Sequence, residues 1–106
     1  LASASEALPE TFDLSQNYPN PFSAAGIKSE TRISYQLPRA SQVSLKIYNT
    51  LGQLIKTLVD QKKEAGFHTT FWDGRDEQGR MVASGIYFYQ LKAKDFIQTR
   101  KMLWLR

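Results

Sequence analysis

The stretch SGIYFYQLKAKDFIQTRKMLWLR, residues 84–106, decides the reading of the whole chain. Tyr87, Tyr89, Leu91 and Ala93 fall on one face at a spacing of two, and Ile86, Phe88, Gln90 and Lys92 on the other. Strict alternation of this kind is the signature of a β-strand with one face buried. Asp95 marks a tight reversal, and FIQTRKMLWLR, residues 96–106, runs back as a second strand. Its closing octet, TRKMLWLR, is partly apolar on both faces and carries Arg100, Lys101 and Arg106. A frayed tail has nothing to bury and is usually polar. This segment is therefore expected to be tied into the fold, and the question is whether it is also meant to be recognised.

The same period recurs upstream. In TRISYQLP, residues 31–38, Ile33, Tyr35 and Leu37 alternate with Arg32, Ser34 and Gln36, and Pro38 ends the run because proline donates nothing to a ladder. Val43, Leu45 and Ile47 share one face of the next strand. QLIKTLV, residues 53–59, reads as a less regular third. The polar connection DQKKEAG leads to HTTFWD, residues 68–73, and then to the turn DGRDEQGR. Asp73-Gly74 and Gly79 supply the positive-φ positions that a reversing backbone needs. With a weak first strand around Phe12 to Tyr18, seven strands are predicted and no helix. Short strands at regular spacing imply an antiparallel sandwich or barrel, and the two facing apolar sets favour the sandwich.

Composition is consistent with one domain and excludes several kinds of function. The chain has 106 residues, an apolar fraction of 42% and a net charge of +4. That is enough for a single modest core. Nothing resembles a basic stripe or a nucleic-acid-binding motif, so no nucleic-acid partner is expected. The absence of cysteine rules out disulfides, thiolate metal sites and cysteine catalysis. No apolar run approaches the roughly 18 residues of a transmembrane segment. LASASEALPE lacks the pattern of a signal peptide. Residues 1–11 are read as a linker from an upstream region and residues 12–106 as the domain, which suggests a piece from the end of something longer.

Candidate chemistry is sparse. Six Phe, five Tyr and two Trp are generous for this length, and Trp72, Tyr35, Tyr87 and Tyr89 are expected in the core. Phe71 and Phe88, on the faces assigned outward, are the candidates for a sugar-stacking platform. His68 is the only histidine and is read as a hydrogen-bonded structural group rather than a base. There is no nucleophile elbow, phosphate loop or paired histidine. Asp73, Asp76 and Glu77 crowd one turn and could hold calcium through oxygens. The plainer reading is an Asx turn with solvated acids. No enzyme, cofactor or metal is expected.

Taken in order, QNYPNPF (16–22), ISYQLP (33–38), VSLKIYNTLGQLIKTLV (43–59), AGFHTTFWDGRDEQGRMVASGIYFYQL (65–91) and TRKMLWLR (99–106) form a recognisable pattern. It resembles the type A C-terminal sorting domains of the bacterial type IX secretion system. It is also similar to the immunoglobulin-like domain of flagellar hook-capping proteins. The resemblance implies a seven-stranded antiparallel immunoglobulin-like sandwich. Its marks are Pro19, Asn20, Pro21 and Phe22, then Trp72, Asp73 and Gly74, then Gly85, Tyr87 and Tyr89. The prolines keep their segment extended so that Phe22 can plug the edge of the sandwich. Where the family continues Asn-Pro-Phe with Asn-Pro-Ser-Thr, this chain has SAAGIKSET, residues 23–31, which implies a longer loop.

By the same resemblance the function is an address. A domain of this family ends an exported cargo protein, folds in the periplasm and is engaged by the outer-membrane translocon with its shuttle protein. A sortase-like protease can then cleave it and attach the cargo at the cell surface. The part recognised is implied to be Lys101, Met102, Leu103, Trp104, Leu105 and Arg106. An extended segment can join a partner's sheet edge while alternate side chains enter pockets. Two other readings stay open: a carbohydrate-binding or adhesive module, and a structural domain of a surface appendage.

Overall fold

A computed structural model of the chain describes residues 7–24 and 30–106. Eight strands follow one another: β1 Asp13–Leu14, β2 Phe22–Ser23, β3 Thr31–Leu37, β4 Ser41–Tyr48, β5 Leu54–Lys63, β6 Gly66–Trp72, β7 Gly85–Ala93 and β8 Phe96–Leu105. They form two sheets, one in the order β1-β3-β6 and the other β2-β8-β7-β4-β5. The β-sandwich predicted from the periodicity is the fold observed, in the immunoglobulin-like form that the resemblance implied.

Two details differ from expectation. The count is eight because Phe22–Ser23 makes a strand of its own, with Phe22 opposite Trp104 and Ser23 opposite Leu105. That pairing is parallel, so the sandwich is not wholly antiparallel. Two residues carry no readable period, and the chain bends from Pro19 to Pro21 just before them instead of running extended as expected. β5, in turn, continues through DQKK to Lys63, because Ser41 to Ser44 of β4 pair with Lys63 to Asp60. The polar stretch read as a connection is mostly strand. At the other end, Thr11, in the segment read as linker, has its carbonyl bonded by Gln36 Nε2 at 3.0 Å. Residues 25–29 of the SAAGIKSET loop and residues 1–6 lie outside the described residues.

The core is built from the alternating faces. Ile33, Tyr35 and Leu37 from β3 and Trp72 from β6 meet Val43, Leu45, Ile47, Val59, Tyr87, Tyr89, Leu91, Met102 and Trp104 from the other sheet. At one end the aromatic rings cluster. Phe22 lies 4.6 Å from Trp104 and 5.5 Å from Trp72, and Trp72 lies 5.4 Å from Tyr87 between ring centroids. Both indole N–H groups end on carbonyls, Trp72 on Arg75 at 2.9 Å and Trp104 on Val82 at 3.0 Å. Large rings with satisfied polar handles are the form in which tryptophan is buried at least cost.

Buried polar groups fix the path of the first segment. The Tyr89 hydroxyl donates to the Ser15 carbonyl at 2.7 Å and accepts from the Asn17 N–H at 2.8 Å. Asn17 Nδ2 donates to Thr31 Oγ1, and Thr31 Oγ1 donates to the Pro19 carbonyl. Burial pushes the Tyr89 phenol up to about 12 and raises Tyr35 and Tyr87 in the same direction. The unfolded phenol ionises near 10, so the neutral form contributes stability that is complete below that pH. It is lost as pH climbs toward about 12. Urea titrations should show the domain weakening steeply across this alkaline window, and Tyr89→Phe should flatten part of that fall. A pH-independent midpoint there would show that the phenol is not held neutral.

Candidate functional site

β8 places its residues by simple alternation. Met102 and Trp104 point inward and are 1% and 0% exposed, whereas Lys101 and Leu105 are exposed and Leu103 half-exposed on the outer face. The six residues singled out from the sequence therefore divide. Met102 and Trp104 belong to the core, and Lys101, Leu103 and Leu105 face solvent, followed by exposed Arg106. Across the sheet, Lys101 lies opposite Phe88, which lies opposite Tyr48, and Leu103 lies opposite Ile86. Lys46 and Lys92 stand at outward positions of the same sheet. The result is an apolar strip edged with cations.

The main chain of β8 is less accessible than its side chains. β7 pairs with one edge from Phe96 to Trp104. On the other edge, Gln16 Nε2 donates to the Lys101 carbonyl at 2.8 Å, the Leu103 N–H donates to Asn20 Oδ1 at 3.0 Å, and the Ala24 N–H donates to the Leu105 carbonyl at 3.0 Å. The Arg106 N–H donates to Ser84 Oγ at 2.7 Å. The segment 16–24 thus covers the edge that a partner strand would use, and addition at Lys101 to Leu105 requires its displacement. This corrects the expectation of simple strand addition. The roles of Gln16 and Asn17 were missed in the sequence, where they read as part of a weak first strand; that strand ends at Leu14. Their side-chain amides, set beside prolines that cannot donate, were the available signal.

The remaining motif residues are structural. Pro19 offers its carbonyl to Asn17 and Thr31. Pro21 is exposed between Asn20 and buried Phe22. Gly85 opens β7 at a φ of 150°. Gly74, at a φ of 79°, lies under the Trp104 ring so closely that a Cβ would meet it at 2.6 Å. Tyr87 donates to the Ala83 carbonyl at 2.6 Å.

The other candidates are placed as follows. His68 stacks on Tyr35 with centroids 5.3 Å apart and donates Nε2–H to the Glu64 carbonyl at 2.7 Å. Asp73 Oδ1 accepts from the Arg75 N–H, and Glu77 Oε2 accepts from the Thr57 N–H of β5. Asp76 Oδ1 accepts from the N–H groups of Arg80 and Gln78. These donors, Arg80 first, hold the Asp76 carboxyl below its usual range. Asp73 and Asp76 thus organise the turn and Glu77 ties it to β5, and no grouping of three or more acids or histidines that could hold a metal ion occurs among the described residues. The thermal midpoint should be the same with added calcium as with chelator. A calcium-dependent rise of several degrees would overturn that reading. Phe71 and Phe88 face outward as expected but on different sheets, so they do not form one platform.

Residues 21–95 match the family model described as FlgD Ig-like domain. Among solved structures, one likeness is to PorZ of Porphyromonas gingivalis, described as an essential bacterial surface component of the type-IX secretion system. The TM-score is 0.59 at 21% identity, covering 99% of this chain and 12% of that one. Another is to FlgD from P. aeruginosa, with a TM-score of 0.57 at 20% identity, covering 92% of this chain and 72% of that one. The chain thus spans only a small fraction of the PorZ chain. At these identities both likenesses speak for the fold. No curated protein matches the sequence.

Proposed function

The chain belongs to the FlgD Ig-like domain family, and we propose that it is a non-catalytic immunoglobulin-like domain that carries an attached cargo across the outer membrane by type IX secretion. The partners are the outer-membrane translocon and its shuttle protein, with the cargo preceding the domain and delivered to the cell surface or released there. A sortase-like protease acts at the final step. The observation that carries this reading is the division of labour in β8. Its inward residues lock the sandwich shut while Lys101, Leu103, Leu105 and Arg106 stand where another protein can touch them. Recognition then proceeds through side chains of a folded domain, with the backbone edge already covered. The likeness to a surface component of that secretion system supports the context.

The test fuses the 106-residue chain after a reporter in a bacterium that has the system. Lys101→Ala with Arg106→Ala should leave the melt within about 0.5 kcal/mol of the parent, as surface changes do. Surface delivery of the reporter should nevertheless drop. Normal delivery of the double variant would sink the address reading. The appendage reading would then lead, which the fuller coverage of the FlgD chain favours.

A further inference from the structure

The outer face of the three-stranded sheet carries a feature that the fold does not require. An isolated bridge sets Tyr18 opposite Arg32, and the β3–β6 register sets Arg32 opposite Phe71. An aromatic, a cation and a second aromatic therefore stand in a row across the sheet. Tyr18 is 69% exposed and Phe71 51% exposed. The Arg32 guanidinium sits 5.8 Å from the centre of the Tyr18 ring. Tyr18, Pro19, Glu30, Arg32 and Phe71 line an open depression of about 340 Å³. None of the hydrogen bonds or ion pairs among the described residues uses the Arg32 guanidinium or the Glu30 carboxylate.

Each element has a chemical meaning. Exposed ring faces offer flat apolar area, which suits the C–H face of a sugar ring. A guanidinium offers a fork of donors and a carboxylate offers acceptors only, so together they serve neighbouring hydroxyls that both give and take hydrogen bonds. The two charges also set limits. Glu30 opposes an anionic ligand and Arg32 a cationic one, leaving a neutral polyhydroxyl compound as the match. The size of the depression is at the lower end of small-ligand sites. We infer that this face binds a neutral glycan, with one sugar ring seated between Tyr18 and Phe71 and its hydroxyls held by Arg32 and Glu30. The site lies on the sheet opposite the outward face of β8, so it is independent of the address reading.

The experiment titrates the isotope-labelled chain with cellohexaose, mannohexaose and hexa-N-acetylchitohexaose, following backbone amide shifts. At least one of them should produce saturable shifts centred on residues 18, 32 and 71. Phe71→Ala and Glu30→Gln should each weaken that binding about tenfold, the effect of losing one good contact. Phe88→Ala, on the opposite sheet, should leave it unchanged. Glu30→Gln keeps the shape of the side chain and serves as the decisive variant if Phe71→Ala folds poorly. The inference is overturned if none of the three sugars saturates, if the shifts map to the Tyr48–Phe88 face, or if Glu30→Gln binds like the parent. Tighter binding of an acidic oligosaccharide than of any neutral one would overturn it as well.

Discussion

Trp72→Ala should cost the domain about 3–5 kcal/mol, the range for a large buried ring truncated to a methyl. Trp72 is 1% exposed and contributes from the three-stranded sheet to a cluster whose other rings, Phe22, Tyr87 and Trp104, come from the five-stranded one. Its removal leaves a void between the sheets that neither can fill without shifting. It also strands the Arg75 carbonyl, which accepts from the indole. Urea unfolding at neutral pH measures this. A loss below about 1 kcal/mol would mean that the two sheets collapse onto the gap and that the ring is not what spaces them.

Gly74→Ala should be nearly as damaging although it adds a single carbon. At a φ of 79° any side chain is strained. The strain alone costs on the order of 1–2 kcal/mol. The new Cβ would also lie 2.6 Å from the Trp104 ring, which is fully buried and cannot swing away. Forcing an extra group into a packed core adds about 1–3 kcal/mol. Gly79 supplies the reference, since it has a φ of 80° with nothing within 4 Å of its Cβ position. Gly79→Ala should therefore show the strain without the collision. Equal losses at the two glycines would show that Trp104 yields, contrary to its packing.

Much of this was readable in the chain. The buried faces of β3, β4 and β7 follow Ile33-Tyr35-Leu37, Val43-Leu45-Ile47 and Tyr87-Tyr89-Leu91 residue for residue. Alternation is a local property, set by the pleat, and needs no knowledge of the partner strand. Trp72 was placed by the same rule. What escaped depends on distant pairing. β5 looked irregular because register shifts occur between Leu45 and Lys46 and between Ile47 and Tyr48 of its partner, and each slip moves side chains to the other face. β2 could not be seen because its existence rests on Trp104 and Leu105 being its neighbours. At the candidate site, the apolar residues of the closing octet were enough to expect that the last strand is tied into the fold. They could not show that Gln16, Asn20 and Ala24 close the edge beside it.

That closure governs when the domain can fold. Gln16 and the Lys101 carbonyl it holds are 85 residues apart, and Phe22 meets Trp104 across a similar span. A chain still on the ribosome, with β8 not yet made, has β7 unpaired along one side and the aromatic cluster lacking Trp104. Contacts of such separation form slowly and late. The sandwich therefore cannot close until residue 104 is free, and up to that point the growing chain carries its apolar strands uncovered and open to aggregation.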